Sequence, residues 1–526
     1  MMGKADRRIS FSDYWLTDKI PQNSYWNKLR EWGLEHIDEN VFQSLYSYYG
    51  RTSVPPIYTF LAMLIQMEKG YSDLEMEGET TFDDRIKYAI TAPRDFEGID
   101  AVTLCDHRKR LFNSKIGNEI FINIINEAKE SGLFDEDNLN VIDSFMVWGK
   151  SAKQDTYTMI YNAIKMVLKF TSFYGFNKDA EKQLKRNDYN SKRKKPEIDW
   201  TNKNEKIKLL DELVKDALSL IEYIKTVEKE NGLETDIINA YTLLEKVATQ
   251  DVEKDDNGNF KMIQGTAKDR IISINDSEMR HGHKTTSKQQ DGYKAEIITG
   301  GKNGEFIIAL DVFPANKPDG TKMDELLDES KENGIEVETL YGDSAYANLD
   351  IIEEREKEGM DFFVKIPKAS NKKGFFTKDE FIIDVDEGTV KCPGGNIEKI
   401  DKQKTEDRKP STVSFGSKCK ECSMRNQCTE AKNGRQITIH KSEGKLQKER
   451  KRQSEDEFKN EYVRRANGER DVSELTKHGG RKSKHIGQKP TKQQLIIVAI
   501  NNNIKKLMGN IFKNLKTFPQ AEYALK

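Results

Sequence analysis

Cysteine, proline and histidine are scarce in this chain of 526 residues, with 5 Cys, 12 Pro and 7 His. Five cysteines over such a length do not make a disulfide scaffold, and a reducing cytoplasm is the expected compartment. Long apolar runs are missing too. The longest, residues 60–67 and 495–500, fall far short of the ~20 residues that a membrane span needs, so no membrane segment is expected. The opening MMGKADRRIS has charge with no apolar stretch behind it, so no secretory signal is expected. Net charge is nearly absent: 86 Lys+Arg stand against 88 Asp+Glu, giving −2. Taken as an average, that balance argues against a polyanion partner.

The average conceals an asymmetry. Residues 361–526 carry 37 Lys+Arg against 22 Asp+Glu, a balance of +15, and residues 1–360 carry the compensating −17. Opposite signs in two parts of one chain point to a polyanion on the basic side, the other reading being a solvated lysine-rich surface. The composition is polar, but 24 Phe, 19 Tyr and 5 Trp suffice to build cores. The length predicts three or four domains.

Residues 1–130 read as helices. Tyr58–Lys69 is apolar on all sides, which predicts a buried helix, and Pro55-Pro56 stands where proline is tolerated at a helix start. Further short helices are expected around 82–90 and 103–112. Residues 139–147 read as a strand, and helices are expected from about 156 to 252, centred on Lys206–Glu228. The basic run Lys192-Arg193-Lys194-Lys195 reads as a solvated loop. Tyr293–Thr299 and Glu305–Phe313, separated by Gly300, Gly301 and Gly304, read as a hairpin. Helices near 321–332 and 349–358 then alternate with strands at 337–341 and 362–366. A hairpin followed by strand–helix–strand predicts a mixed α/β sheet. Residues 367–450 are lysine-rich and irregular, and 455–478 and 490–515 read as helices.

Three carboxylates stand out. Asp143 interrupts an otherwise apolar strand, where an unpaired carboxylate is costly and needs a partner or a metal. Asp343 follows a strand directly, at the end where α/β sheets bind ligands. Glu469 sits among basic residues in a helical stretch. Singly, each has an ordinary reading: a satisfied core carboxylate, a helix N-cap and a surface ion pair. Jointly, their hard oxygen donors suit two divalent cations, Mg²⁺ or Mn²⁺, and two ions about 3.5–4 Å apart clamp the attacking and leaving oxygens of an in-line phosphoryl transfer.

With these residues in place, the chain resembles a bacterial insertion-sequence transposase of the DDE class. The resemblance rests on Val54–Phe112, with Thr91-Ala92-Pro93-Arg94 and Asp106-His107-Arg108, and on Ile274–Lys294. It rests also on Pro314-Ala315-Asn316, Pro318-Asp319-Gly320, Tyr341–Tyr346 and Gln493–Leu507. The family's C-terminal signature of Tyr, Arg, Glu and Lys falls on Tyr462, Arg465 and Glu469. Its Lys falls on Thr476, with Lys477 one place later. The resemblance implies an α/β, RNase H-like catalytic core over 139–366 plus 455–515. It also implies an InsH-type, DNA-binding helical domain over 1–130, with a helical insertion at 156–252 and a cysteine-containing insertion at 367–450.

Carried over residue by residue, Asp143, Asp343 and Glu469 become the catalytic, metal-binding triad. Tyr462, Arg465 and Lys477 become phosphate contacts on DNA. The implied activity is metal-dependent cleavage at terminal inverted repeats and strand transfer into target DNA by a homodimer, near the bacterial nucleoid. A nuclease without strand transfer and a catalytically inactive DNA-binding derivative are the alternatives. Asp276–His281 is read as a strand entry capped by Asp276. His281 and His283 are read as surface or phosphate-contact residues, and Cys105 as buried packing. Cys392, Cys419, Cys422 and Cys428 could hold a structural Zn²⁺ or remain free thiols. No nucleotide-binding loop, serine-hydrolase elbow or dinucleotide fingerprint is present.

Overall fold

The computed structural model describes residues 1–6, 14–135, 137–285, 288–367, 369–371, 373–401 and 409–517, excepting the side chains of 14, 15, 284, 285, 288, 469 and 514–517. Its centre is a six-stranded sheet: β1 (Asn140–Trp148), β2 (Arg280–Thr285), β3 (Lys288–Gly300), β4 (Phe306–Pro314), β5 (Thr339–Gly342) and β6 (Asp361–Val364). In space the order is β4-β3-β1-β5-β6, with β2 lying end to end with β4 along the far side of β3. β1, β5 and β6 run parallel, and β3 runs against β1.

The alternating apolar residues of β1 are buried on both faces, as expected for a central strand; only Asp143, Ser144 and Trp148 escape full burial. The β3–β4 connection turns on Gly301 and Gly304, both at positive φ and both tight against Leu133 or Leu139 atoms. β2 follows the Asp276 block as expected, but Asp276 does not cap it. Its buried carboxylate instead accepts the Tyr293 hydroxyl at 2.5–2.6 Å.

The N-terminal part is helical. Pro56–Lys69 is buried from Pro56 to Met67, and Gly70 ends it in a left-handed conformation. The stretch around 82–90 splits in two, because Phe82 ends the helix Asp73–Phe82 and Asp83 caps the next, Asp84–Ala89. In the Asp106-His107-Arg108 motif, Arg108 bonds Asp73 at 2.5 Å and Gln66 at 2.9 Å. His107 is buried against Tyr46, and burial drives its pKa down to about 3. Those two residues therefore hold this helical part together. Cys105 is half-buried and not in the core.

The long helix Gln488–Thr517 is apolar all round from Leu495 to Ile500 and packs on β4 as well as on Tyr25–Glu35, Pro56–Lys69 and Ile116–Glu130. One apolar core consequently runs from Leu29 through the sheet to Met508. The insertion between β1 and β2 has a separate core, built by Thr156–Phe173, Lys203–Asn231 and Thr235–Thr249. In Lys203–Asn231, Leu209, Leu210, Leu213, Val214, Ala217, Leu220, Ile221 and Ile224 recur at three and four. Residues 376–439 form a third, small core around short strands. Among the described residues no helix is long and apolar enough to cross a membrane.

Candidate active site

Two of the three predicted carboxylates follow paired positions of neighbouring parallel strands. β1 and β5 pair in parallel with Val141 opposite Tyr341. Asp143 and Asp343 each lie two residues further on, and Asp343 keeps extended backbone. Because side chains alternate with period two, both aspartates point to the face occupied by Val141 and Tyr341, from strands about 4.8 Å apart. Asp343 accepts a bond from Ala345 N at 2.8 Å through one oxygen, so it does cap the short turn Ser344–Tyr346. Asp143 is half-buried and accepts from the Ser144 amide at 2.8 Å.

The same face is covered by helices Asp456–Tyr462 and Ala466–Leu475. Leu139, Val141, Tyr341, Phe363 and Phe458 form an apolar cluster with Tyr462 against it. The Tyr462 hydroxyl donates to the Gly342 carbonyl at 3.2 Å, one residue before Asp343, and the Tyr341 hydroxyl donates to Glu461 at 3.0 Å. The second helix touches β1 directly. A Cβ on Gly468 would stand 2.6 Å from Val141 Cγ1 and 2.7 Å from Val141 Cβ. Only a glycine lets helix and strand approach this closely. Glu469 is the next residue on that helix; its side chain lies outside the described residues. Asp471, two residues on, faces away into the core. It is paired with Lys506 at 3.4 Å, and burial pushes its pKa up to about 6.

The basic residues flank this face. Lys365 Nζ stands 4.1 Å above the Tyr462 ring and the Arg465 guanidinium 5.7 Å from it. Lys477 is exposed, 3.7 Å from Glu474, at the start of a wide turn, Thr476–Gly480, in which His478 and Gly479 leave helical geometry. The chain then runs beside the end of β1: Trp148 N donates to Arg481 O at 2.9 Å and Ser483 N donates to Trp148 O at 2.8 Å. Arg481 and Lys482 are exposed there and were not picked out by sequence. His281 is held by Asp291 at 2.5 Å.

On the opposite face of the sheet lies a polar group that the sequence reading passed over. Ser144 stands across from Glu296 of β3 and donates to Asp319 at 2.8 Å, which also meets Lys294 at 2.6 Å. Glu296 is fully buried. It accepts from the Gly320 and Lys322 amides, and desolvation pushes its pKa up to about 7. Burial, with Glu296 and Asp143 nearby, drives the Tyr346 phenol well above its usual value. The sign was available: Glu296 interrupts an apolar strand as Asp143 does. Among the described residues, no group of three or more His, Cys, Asp or Glu side chains is drawn together tightly enough to hold a metal ion.

Residues 391–508 match a family model described as a transposase DDE domain. This match supports a transposase of the DDE class. The matched stretch contains Glu469 and the four clustered cysteines, whereas Asp143 and Asp343 lie upstream of it. The transposase family acts on DNA and generally uses divalent metal ions. No curated protein and no solved structure matches the chain.

Proposed function

We propose that the chain is a DNA transposase with an RNase H-like core, in which Asp143, Asp343 and Glu469 hold two Mg²⁺ or Mn²⁺ ions. The observation that carries this reading is the parallel pairing of Val141 with Tyr341, two residues before Asp143 and Asp343, at the point where the Glu469 helix meets β1 at Gly468. The strand order β4-β3-β1-β5-β6, with β3 antiparallel, supports the RNase H-like core. Hard carboxylate oxygens from neighbouring strands and one covering helix are the donor set that Mg²⁺ prefers. When bound, such ions activate a water or a DNA 3′-hydroxyl and stabilise charge on the leaving oxygen.

The chain's own residues do the positioning. Asp343 is fixed by its bond to Ala345 N and by Tyr462 on Gly342. Asp143 is fixed by its pairing with Ile297 of β3, two residues beyond the point where β1 also pairs with β5. Arg465, Lys477, Arg481 and Lys482 would neutralise phosphates of the DNA lying over the face, Arg by bidentate contact and Lys as a point charge. Tyr462 supports the Gly342 turn from within and would meet DNA only through its edge. Cleavage at terminal inverted repeats, strand transfer and a homodimer that pairs two element ends belong to the same reading.

A donor-plasmid excision assay tests it. Asp143→Asn, Asp343→Asn and Glu469→Gln are each expected to abolish excision while binding to the element ends persists. Full excision by Asp343→Asn would overturn the site.

A further inference from the structure

All four cysteines of the 376–439 unit border one small enclosed cavity of about 20 Å³, room for a single small ion or water molecule. They reach it from separate local structures. Cys392 follows the strand Thr389–Lys391 and opens a tight turn, in which Cys392 N donates to Asn396 O and Gly395 N donates to Cys392 O, both at 2.9 Å. Cys419 ends the turn Gly416–Cys419. Cys422 accepts the Arg425 amide on its carbonyl at 3.1 Å, and Cys428 ends the short helix Arg425–Cys428. All four are free thiols.

Two glycines make the convergence possible. A Cβ on Gly394 would stand 2.7 Å from Cys422 Sγ and 3.7 Å from Cys392 Sγ, and one on Gly434 would stand 3.2 Å from Cys419 Sγ. The backbone has thus been pared back where the sulfurs gather. The Arg435 amide donates to Cys419 Sγ at 3.4 Å, an outer-shell bond of the kind that orients and stabilises a thiolate. Among the described residues the core of this unit is nine buried residues on and between short strands of three or four, a small core for a unit of this size without a staple.

We propose that Cys392, Cys419, Cys422 and Cys428 bind one structural Zn²⁺ as a closed four-thiolate site that fastens the 376–439 unit. Four sulfur ligands leave no open position, so the ion takes no part in chemistry. The four sulfurs border the cavity without yet standing close enough to ligate one ion, so binding must draw them inward by a rearrangement of the two turns as it releases protons from the thiols. The proposal does not depend on the DNA reading.

The test is metal content of the full chain after purification and exhaustive desalting. One zinc per chain is expected, with four thiols shielded from alkylation until a strong chelator is added and a fifth, Cys105, behaving independently. Cobalt substitution is expected to give the intense visible bands of tetrahedral thiolate coordination. Cys392→Ser and Cys422→Ser should lower zinc below one-tenth of an equivalent, while Cys105→Ser and Asp343→Asn keep the full equivalent. If the serine variants fail to fold, the wild-type zinc content and chelator-dependent shielding decide alone. A folded wild-type chain with no zinc and four reactive thiols, or with a disulfide among the four, overturns the proposal. Zinc retained by an Asp343→Asn chain that still excises DNA would sink the catalytic reading and leave this one standing.

Discussion

Gly468→Ala puts the placement of Glu469 at risk with one methyl group. The added Cβ would meet Val141 at 2.6–2.7 Å, where carbon atoms need about 3.5–4.0 Å. Val141 cannot retreat, because β1 is paired on both sides at that position. The helix must therefore move by about 1 Å. Overpacking of this kind costs about 1–3 kcal/mol. On an exposed helix the same change would be worth about 1 kcal/mol in the other direction, because alanine is the better helix former. The sign of the stability change therefore reports whether the helix lies on the strand. The same displacement carries Glu469, and a 1 Å error in a reacting constellation costs about 10²-fold in rate. Urea denaturation and donor-plasmid cleavage at a fixed Mg²⁺ concentration measure the two effects on one protein. A midpoint below that of the parent and a rate lower by about two decades are expected. Val141→Ala should relieve only part of the defect, since Val141 Cβ is itself within 2.7 Å. A Gly468→Ala chain at least as stable as the parent, with undiminished cleavage, would refute the packing of this helix on β1.

Three further outcomes follow from the geometry. Glu296 titrates near 7 in the fold against an ordinary 4.5, so between those values the folded chain holds a proton that the unfolded chain has lost. Stability should fall as pH rises from 4.5 to 7, by at most about 3 kcal/mol, and Glu296→Gln should flatten that slope in melts taken across the window. Asn503 donates to Ile307 O at 2.8 Å and accepts from Ile307 N at 3.0 Å, beside the irregular β3–β4 register. Asn503→Ala strands two buried backbone groups and should cost about 2 kcal/mol or more in urea unfolding; a change under about 0.5 kcal/mol would show that they find other partners. Combined Arg481→Ala and Lys482→Ala should weaken DNA binding uniformly across sequences and lower the slope of log K against log salt by about 0.9 per lost phosphate contact; an unchanged slope removes both residues from the interface.

Much of this architecture was legible wherever periodicity had one reading. The all-round apolar Tyr58–Lys69, the long helix around Lys206–Glu228 and the glycine-separated strands at 293–313 appear within a few residues of expectation. Local chemistry was harder. Asp83 looks interior to a helix by pattern, yet its carboxylate caps a new one, and Asp276 looks like a cap yet receives a tyrosine hydroxyl from a strand seventeen residues on. Pairing across strands is invisible to spacing. Nothing local says that Ser144 faces Glu296, or that Asp319 completes that group. Asp143 and Asp343 could be chosen from their flanks, but that each stands two residues beyond the paired Val141 and Tyr341 is a property of the β1–β5 ladder. Gly468, in the same way, looks like a helix weakener until Val141 is found against it.

The helix Gln488–Thr517 bears on how the chain comes to be folded at all. A ribosome delivers Leu29 and Phe60 more than four hundred residues before Ile500, yet all three belong to one core. The early helices therefore emerge with an apolar surface whose cover has not been synthesised, and they must wait, or be sheltered by chaperones, through the whole of the intervening translation. The insertion at 156–249, with a core of its own, can close during that interval. A message cut short before codon 495 would yield a chain whose helical front and central sheet are both left open, so truncated products should be cleared by proteases and not persist.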